Sequence, residues 1–140
     1  MPRLILFGMC KRAITDRDDF SVSLITLLYG ITTDSDEPIP PDAVIPFDWS
    51  VVTAWIKSPQ DETKTFEQRI EIHTPDGTQT GEADTTFKIS KRSHSNIING
   101  NAFPVGQTGE YQVKLWLREV AEGKEWEHIA DYPFEVIHAQ

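Results

Sequence analysis

Gly109-Glu110-Tyr111-Gln112-Val113-Lys114-Leu115-Trp116-Leu117-Arg118-Glu119-Val120 decides the fold class. Tyr111, Val113, Leu115 and Leu117 recur at every second position, the period of a strand with one face in a core. A helix over Arg118 to Glu127 is the competing reading. It would carry Gly123 mid-segment, where glycine costs about 1 kcal/mol relative to alanine, and the strand alternation runs straight into it. The segment therefore reads as a strand, Glu110 to Val120, then a turn, then a last strand over Lys124 to His138, interrupted at Asp131 or Pro133.

Working outward, the same signals recur. Arg3 to Met9 and Phe20 to Ile31 read as the first two strands, and Ser50 to Lys57 as the third. Between them Thr32 to Asp48 carries Pro38, Pro40, Pro41 and Pro46, which argue for an extended crossover along an edge rather than a central strand. Gln68 to Thr74 puts Ile70 and Ile72 on one face and Arg69, Glu71 and His73 on the other; Pro75-Asp76-Gly77 is a turn. Thr85 to Ser90 turns Phe87 and Ile89 inward, and His94 to Ile98 is a weaker strand ended by Asn99-Gly100-Asn101. Seven or eight short strands separated by turns predict an all-β antiparallel sandwich with Greek-key connections. A length of 140 residues fits one domain, 1–140.

Composition narrows the function. Thirteen basic and 22 acidic residues give a formal net charge of −9. That argues against nucleic-acid binding, which needs a basic stripe. No apolar run approaches the roughly 18–20 residues of a membrane span. The short apolar run Leu4 to Met9, followed by Lys11-Arg12, does not fit a signal peptide, so the expected compartment is the cytoplasm. The single cysteine, Cys10, allows no internal disulfide and reads as a packed thiol.

Gly109-Glu110-Tyr111-Gln112-Val113 resembles the tyrosine corner of immunoglobulin-like sandwiches, in which the tyrosine hydroxyl bonds back to the upstream backbone. The resemblance implies that Val113 takes the place of the second core cysteine and makes Trp55 a candidate core tryptophan. The chain also resembles an uncharacterised bacterial family of small proteins, known as a domain of unknown function. The resembling pieces are Tyr29-Gly30, Ile45-Pro46-Phe47, Ile72-His73-Thr74-Pro75-Asp76-Gly77, Gly109-Glu110-Tyr111 and Pro133-Phe134-Glu135-Val136. This implies a sandwich and contributes no site.

Signals for chemistry are sparse. His73, His94, His128 and His138 show no metal-ligand spacing, and no phosphate-cradling loop or nucleophile elbow occurs. His94 and Ser95 are strand neighbours and point to opposite faces, so they cannot form a catalytic pair. Asp16, Asp18 and Asp19 form one acidic cluster and Asp34, Asp36 and Glu37 another. With strands alternating in direction they stand about 20 Å or more apart, too far to share one calcium ion. No enzyme activity and no cofactor is expected.

The last hairpin is the most informative surface. Ala121-Glu122-Gly123 fits a three-residue turn with Gly123 left-handed. That register pairs Val120 with Lys124, Arg118 with Trp126, Trp116 with His128, and Leu115 with Ile129. Trp116, Arg118, Trp126 and His128 then share the face opposite the core, and Trp and Arg dominate binding hot spots. The expected function is a non-catalytic protein-interaction or structural module, accessory to a larger assembly, with a protein partner at these four residues. The alternatives are a carbohydrate-binding module using the two indoles as a platform and a calcium-dependent lipid-binding sandwich.

Overall fold

The structure, a computed structural model, describes residues 1–139. Nine strands run in the order β1 (Arg3–Thr15), β2 (Val22–Leu27), β3 (Gly30–Asp34), β4 (Val44–Ile56), β5 (Phe66–His73), β6 (Gln79–Phe87), β7 (Ser93–Pro104), β8 (Gly109–Glu119) and β9 (Glu127–Ala139). A single 3-10 turn, Pro59–Asp61, is the only helical element among the described residues. The strands form a four-stranded sheet, β2-β1-β4-β7, and a five-stranded sheet, β3-β9-β8-β5-β6. Every pair is antiparallel except β3 with β9, which is parallel and departs from the expected antiparallel sandwich, because β3 enters the five-stranded sheet only after the chain has crossed over from β2. Hairpins β1–β2, β5–β6 and β8–β9 stay within one sheet; the other connections cross between sheets.

The period-two segments supply the core between the sheets. Tyr111, Val113, Leu115 and Leu117 of β8 are all buried, as are Phe66, Ile70 and Ile72 of β5, Val51 and Trp55 of β4, and Phe134 and Val136 of β9. Each such side chain contributes roughly 1.5–3 kcal/mol by leaving water. One polar node joins the sheets inside this core. Gln68 of β5 accepts at Oε1 from the Thr53 hydroxyl (2.6 Å), the Trp55 indole N–H (3.1 Å) and the Asn96 amide (3.0 Å). Rotating the Gln68 amide would bring its NH2 against two donors, so the orientation is fixed by its partners. Its Nε2 is left without a partner.

Beyond Cys10, which pairs with Ser50, β1 leaves β4 and pairs only with β2. Continuing straight at about 3.3 Å per residue, it would carry Thr15 roughly 36 Å from Ser93, which lies level with Ile56. Instead Thr15, Asp19, Phe20 and Val22 line one cleft with Ser93, His94 and Ser95, and the Lys91 ammonium stands 4.1 Å from the centre of the Phe20 ring. Leu27 and Leu24 likewise reach to 3.5 and 3.7 Å of where a side chain on Gly8 would begin. The β1–β2 hairpin is therefore an arm folded back over the outer side of the four-stranded sheet. The arm accounts for Ser50, Val52 and Ala54, which alternate with the core residues of β4 and yet are only 4%, 0% and 9% exposed.

The strand count and several boundaries differ from the sequence expectation, each for a physical reason. Nine strands replace seven or eight because the chain changes sheets at Leu28-Tyr29, splitting the second expected strand into β2 and β3. The Tyr132 hydroxyl donates to the Leu28 carbonyl at 2.6 Å at that crossing. The expected crossover Thr32 to Asp48 ends inside β4, despite Pro46. Here β4 pairs with β7 alone, its ladder is irregular between Pro46 and Trp49, and the Ala102 carbonyl opposite Pro46 accepts the Trp49 indole N–H at 2.9 Å. The proline thus sits at a locally single-sided bulge with a substitute donor. Asn99-Gly100-Asn101 does not end β7, because Gly100 is needed for space: a Cβ there would strike the Trp49 indole.

Candidate functional site

β5, β6, β8 and β9 build the solvent side of the five-stranded sheet. Register places Trp116 beside His128 on one side and Arg69 on the other, Arg69 beside Asp84, and Arg118 beside Glu67. These positions alternate with the core residues, so their side chains project together away from the other sheet. Trp126 precedes β9 and lies among them, with the Arg118 and Arg69 guanidiniums 4.4 and 4.5 Å from its ring centre. Trp116 packs against His128 with ring centres 4.8 Å apart.

Carboxylates hold each cation in place. Asp84 takes two hydrogen bonds from Arg69, at 2.8 and 3.0 Å, and Glu67 takes two from Arg118 through one oxygen, at 2.9 and 2.7 Å. The hydrogen bond from Arg69 holds the Asp84 carboxyl below the usual range, and Asp84 in turn raises the guanidinium pKa further. Glu71 Oε1 accepts the Trp116 indole N–H at 3.0 Å and stands 2.9 Å from His73 Nε2. His128 Nε2 lies 2.7 Å from Asp131. The result is a fixed layer of indoles, guanidiniums and carboxylates on a rigid sheet.

The four residues singled out from sequence are thus brought together, but by a modified register. Trp116 pairs with His128 as expected. Leu115 pairs with Ala130 rather than Ile129, since Ile129 is the extra residue of a bulge in β9. Residues 120–126 lie outside the strands, so Val120 does not ladder with Lys124 and Arg118 meets Trp126 only through its side chain. Gly123 does take the left-handed φ, +75°. Trp116, Arg118 and Trp126 are half-buried and His128 is exposed. Sequence reasoning missed Arg69, the second cation on Trp126. Its outward position on β5 was readable, but its neighbour β8 lies too far along the chain to be assigned by pattern.

The remaining candidates are used locally. Asp16 Oδ1 accepts the backbone amides of Asp18 and Asp19, and Asp19 accepts from Ser21. Among the described residues no group of three or more His, Cys, Asp or Glu is arranged to hold a metal ion. The Cys10 thiol is buried and free, and burial pushes its pKa up, which disfavours the reactive thiolate. His94 stacks on Phe87 and its Nε2 lies 2.9 Å from Asn96. No described helix is long and apolar enough to cross a membrane. No protein-family model matches the chain, and no curated protein matches it either.

Proposed function

We propose that the chain is a non-catalytic interaction module of immunoglobulin-like Greek-key type. It binds a protein partner through Trp116, Arg118, Trp126 and His128, with Arg69 as a fifth member. The observation that carries the reading is the pair of guanidiniums on Trp126, each held by its own carboxylate. Arginine and tryptophan dominate binding hot spots, and side chains already fixed lose little freedom on association. The immunoglobulin-like part draws support from Tyr111, whose hydroxyl accepts the Gln107 amide hydrogen at 3.1 Å. Trp55 and Val113 in the core fit it as well.

Retention from a native lysate, comparing wild type with a Trp116→Ser/Trp126→Ser double variant whose thermal unfolding shows it folded, tests the proposal. A protein held by the wild type and lost by the variant is the expected result. Equal retention would move the partner to another surface, and the hairpin face would be abandoned.

A further inference from the structure

β7 closes the four-stranded sheet on the side away from β1, and no other strand of the sheet flanks its outer backbone groups. Such edges are ordinarily blunted by charge, proline, shortness or a cover. The other edges are: β6 carries Glu82 and Asp84, β3 has five residues and Asp34, and β2 belongs to the folded arm. β7 is neither charged, nor short, nor broken by an early proline along its twelve residues, Ser93-His94-Ser95-Asn96-Ile97-Ile98-Asn99-Gly100-Asn101-Ala102-Phe103-Pro104. The folded arm meets it at Ser93 to Ser95 and at Asn99 to Asn101, but no strand pairs with its outer backbone groups. It contains no Asp, Glu, Lys or Arg, and its one proline comes last.

The two ends of this strand differ in charge. Lys88, Lys91 and Arg92, all exposed, lead into Ser93. At the other end the Ala43 carbonyl accepts the Val105 amide hydrogen at 2.9 Å, which brings the exposed Asp42 beside the strand's exit. Asp36 and Glu37 line a cleft there with Gly106. The strand itself is neutral. At its start three cations stand near one carboxylate, Asp19 of the arm, which lines a cleft with Lys91 and Ser93, and at its exit stand the carboxylates Asp36, Glu37 and Asp42.

We propose that β7 pairs antiparallel with β7 of a second copy about a two-fold axis, joining two four-stranded sheets into one. Antiparallel pairing sets the Lys91-Arg92 end of each strand beside the partner's Asp42 end, so the complementary contact occurs twice. A parallel arrangement would set like ends together. A chain of net charge −9 repels its own copies generally, and this neutral strand with opposed ends is where that repulsion is least. The surface lies on the other sheet from Trp126 and stands apart from the partner reading.

Sedimentation of the full chain over a concentration series, at low and high salt, tests it. A dimer that forms with rising concentration is expected. Salt screens the general repulsion between copies as well as the end contacts, so the effect of reversing the end charges should shrink at high salt. Asn101→Lys, at an exposed edge position, should weaken association by about tenfold or more by setting charge into the joint. Lys91→Glu/Arg92→Glu should weaken it also, and adding Asp42→Lys should restore it. A wild type that stays monomeric throughout would overturn the proposal, as would a dimer indifferent to both Asn101→Lys and the charge reversal. Backbone amide exchange at Ile97 to Asn101 gives a second readout. It should slow with rising concentration, and exchange unchanged across a dimerisation would place the joint elsewhere.

Discussion

The side-chain oxygen of Gln68, on the five-stranded sheet, accepts the indole hydrogen of Trp55, on the four-stranded sheet, at 3.1 Å. Both residues are fully buried, and the same oxygen takes Thr53 and Asn96. Removing that oxygen would strand three buried donors, each at a cost of about 1–3 kcal/mol before relaxation. Gln68→Leu is therefore expected to destabilise the fold by roughly 3 kcal/mol or more, measured by denaturant unfolding. A loss under about 1 kcal/mol would mean that water or repacking satisfies the donors.

Trp126 and Arg118 offer a different kind of test. Cation–indole contacts near a surface are worth about 0.5–1 kcal/mol. A double-mutant cycle with Arg118→Ala and Trp126→Ala should return a coupling of that size, with Arg69→Ala and Trp126→Ala giving a similar one. Strict additivity in both cycles would remove the fixed character of this face, and with it the argument for its preorganisation.

Asp76 ties two turns together. The Thr74 hydroxyl, Thr78 and the Gln107 amide all donate to it, holding its carboxyl at about 2 against an ordinary 3.8. Because the folded state lowers this pKa, its contribution is present above about pH 4 and lost as pH falls through about 2. Unfolding midpoints of wild type and Asp76→Asn should therefore converge on acidification between those values. A difference independent of pH would show that the carboxylate's charge is not what matters.

Gly100 has no room for a side chain. Gly100→Ala would press a methyl into the Trp49 ring, and overpacking of this kind costs about 1–3 kcal/mol. Thermal unfolding together with Trp emission would register both the loss and the displaced indole; an unchanged melting temperature would contradict the packing described.

The core alternation of β5 and β8 was legible because a strand between two neighbours with one face buried leaves little freedom of pattern. The polar node was not read from the sequence: Gln68 shares its face with Ile70 and Ile72, and Thr53 with Val51 and Trp55, but parity alone does not say that the two meet. What pattern could not supply was pairing over distance. The bulge at Ile129 is set by the fit of β9 to β8, the sheet change at Leu28-Tyr29 by Tyr132 far along the chain, and the second cation on Trp126 by the β5–β8 ladder. Pro46 misled because its missing donor is supplied by a side chain, Trp49, rather than by the ladder.

The folded-back hairpin gives this chain a second interior. Ordinarily the residues of a sandwich strand divide into a conserved-volume half and a tolerant half. Along β4 from Ser50 to Ala54 both halves are enclosed, one by the opposite sheet and one by the hairpin. A polar or bulky replacement at Val52, which a two-layer picture would treat as surface, would have to lift the hairpin off before the sheet itself gave way. The molecule is three layers thick on that side, and its tolerance to sequence change should follow that thickness.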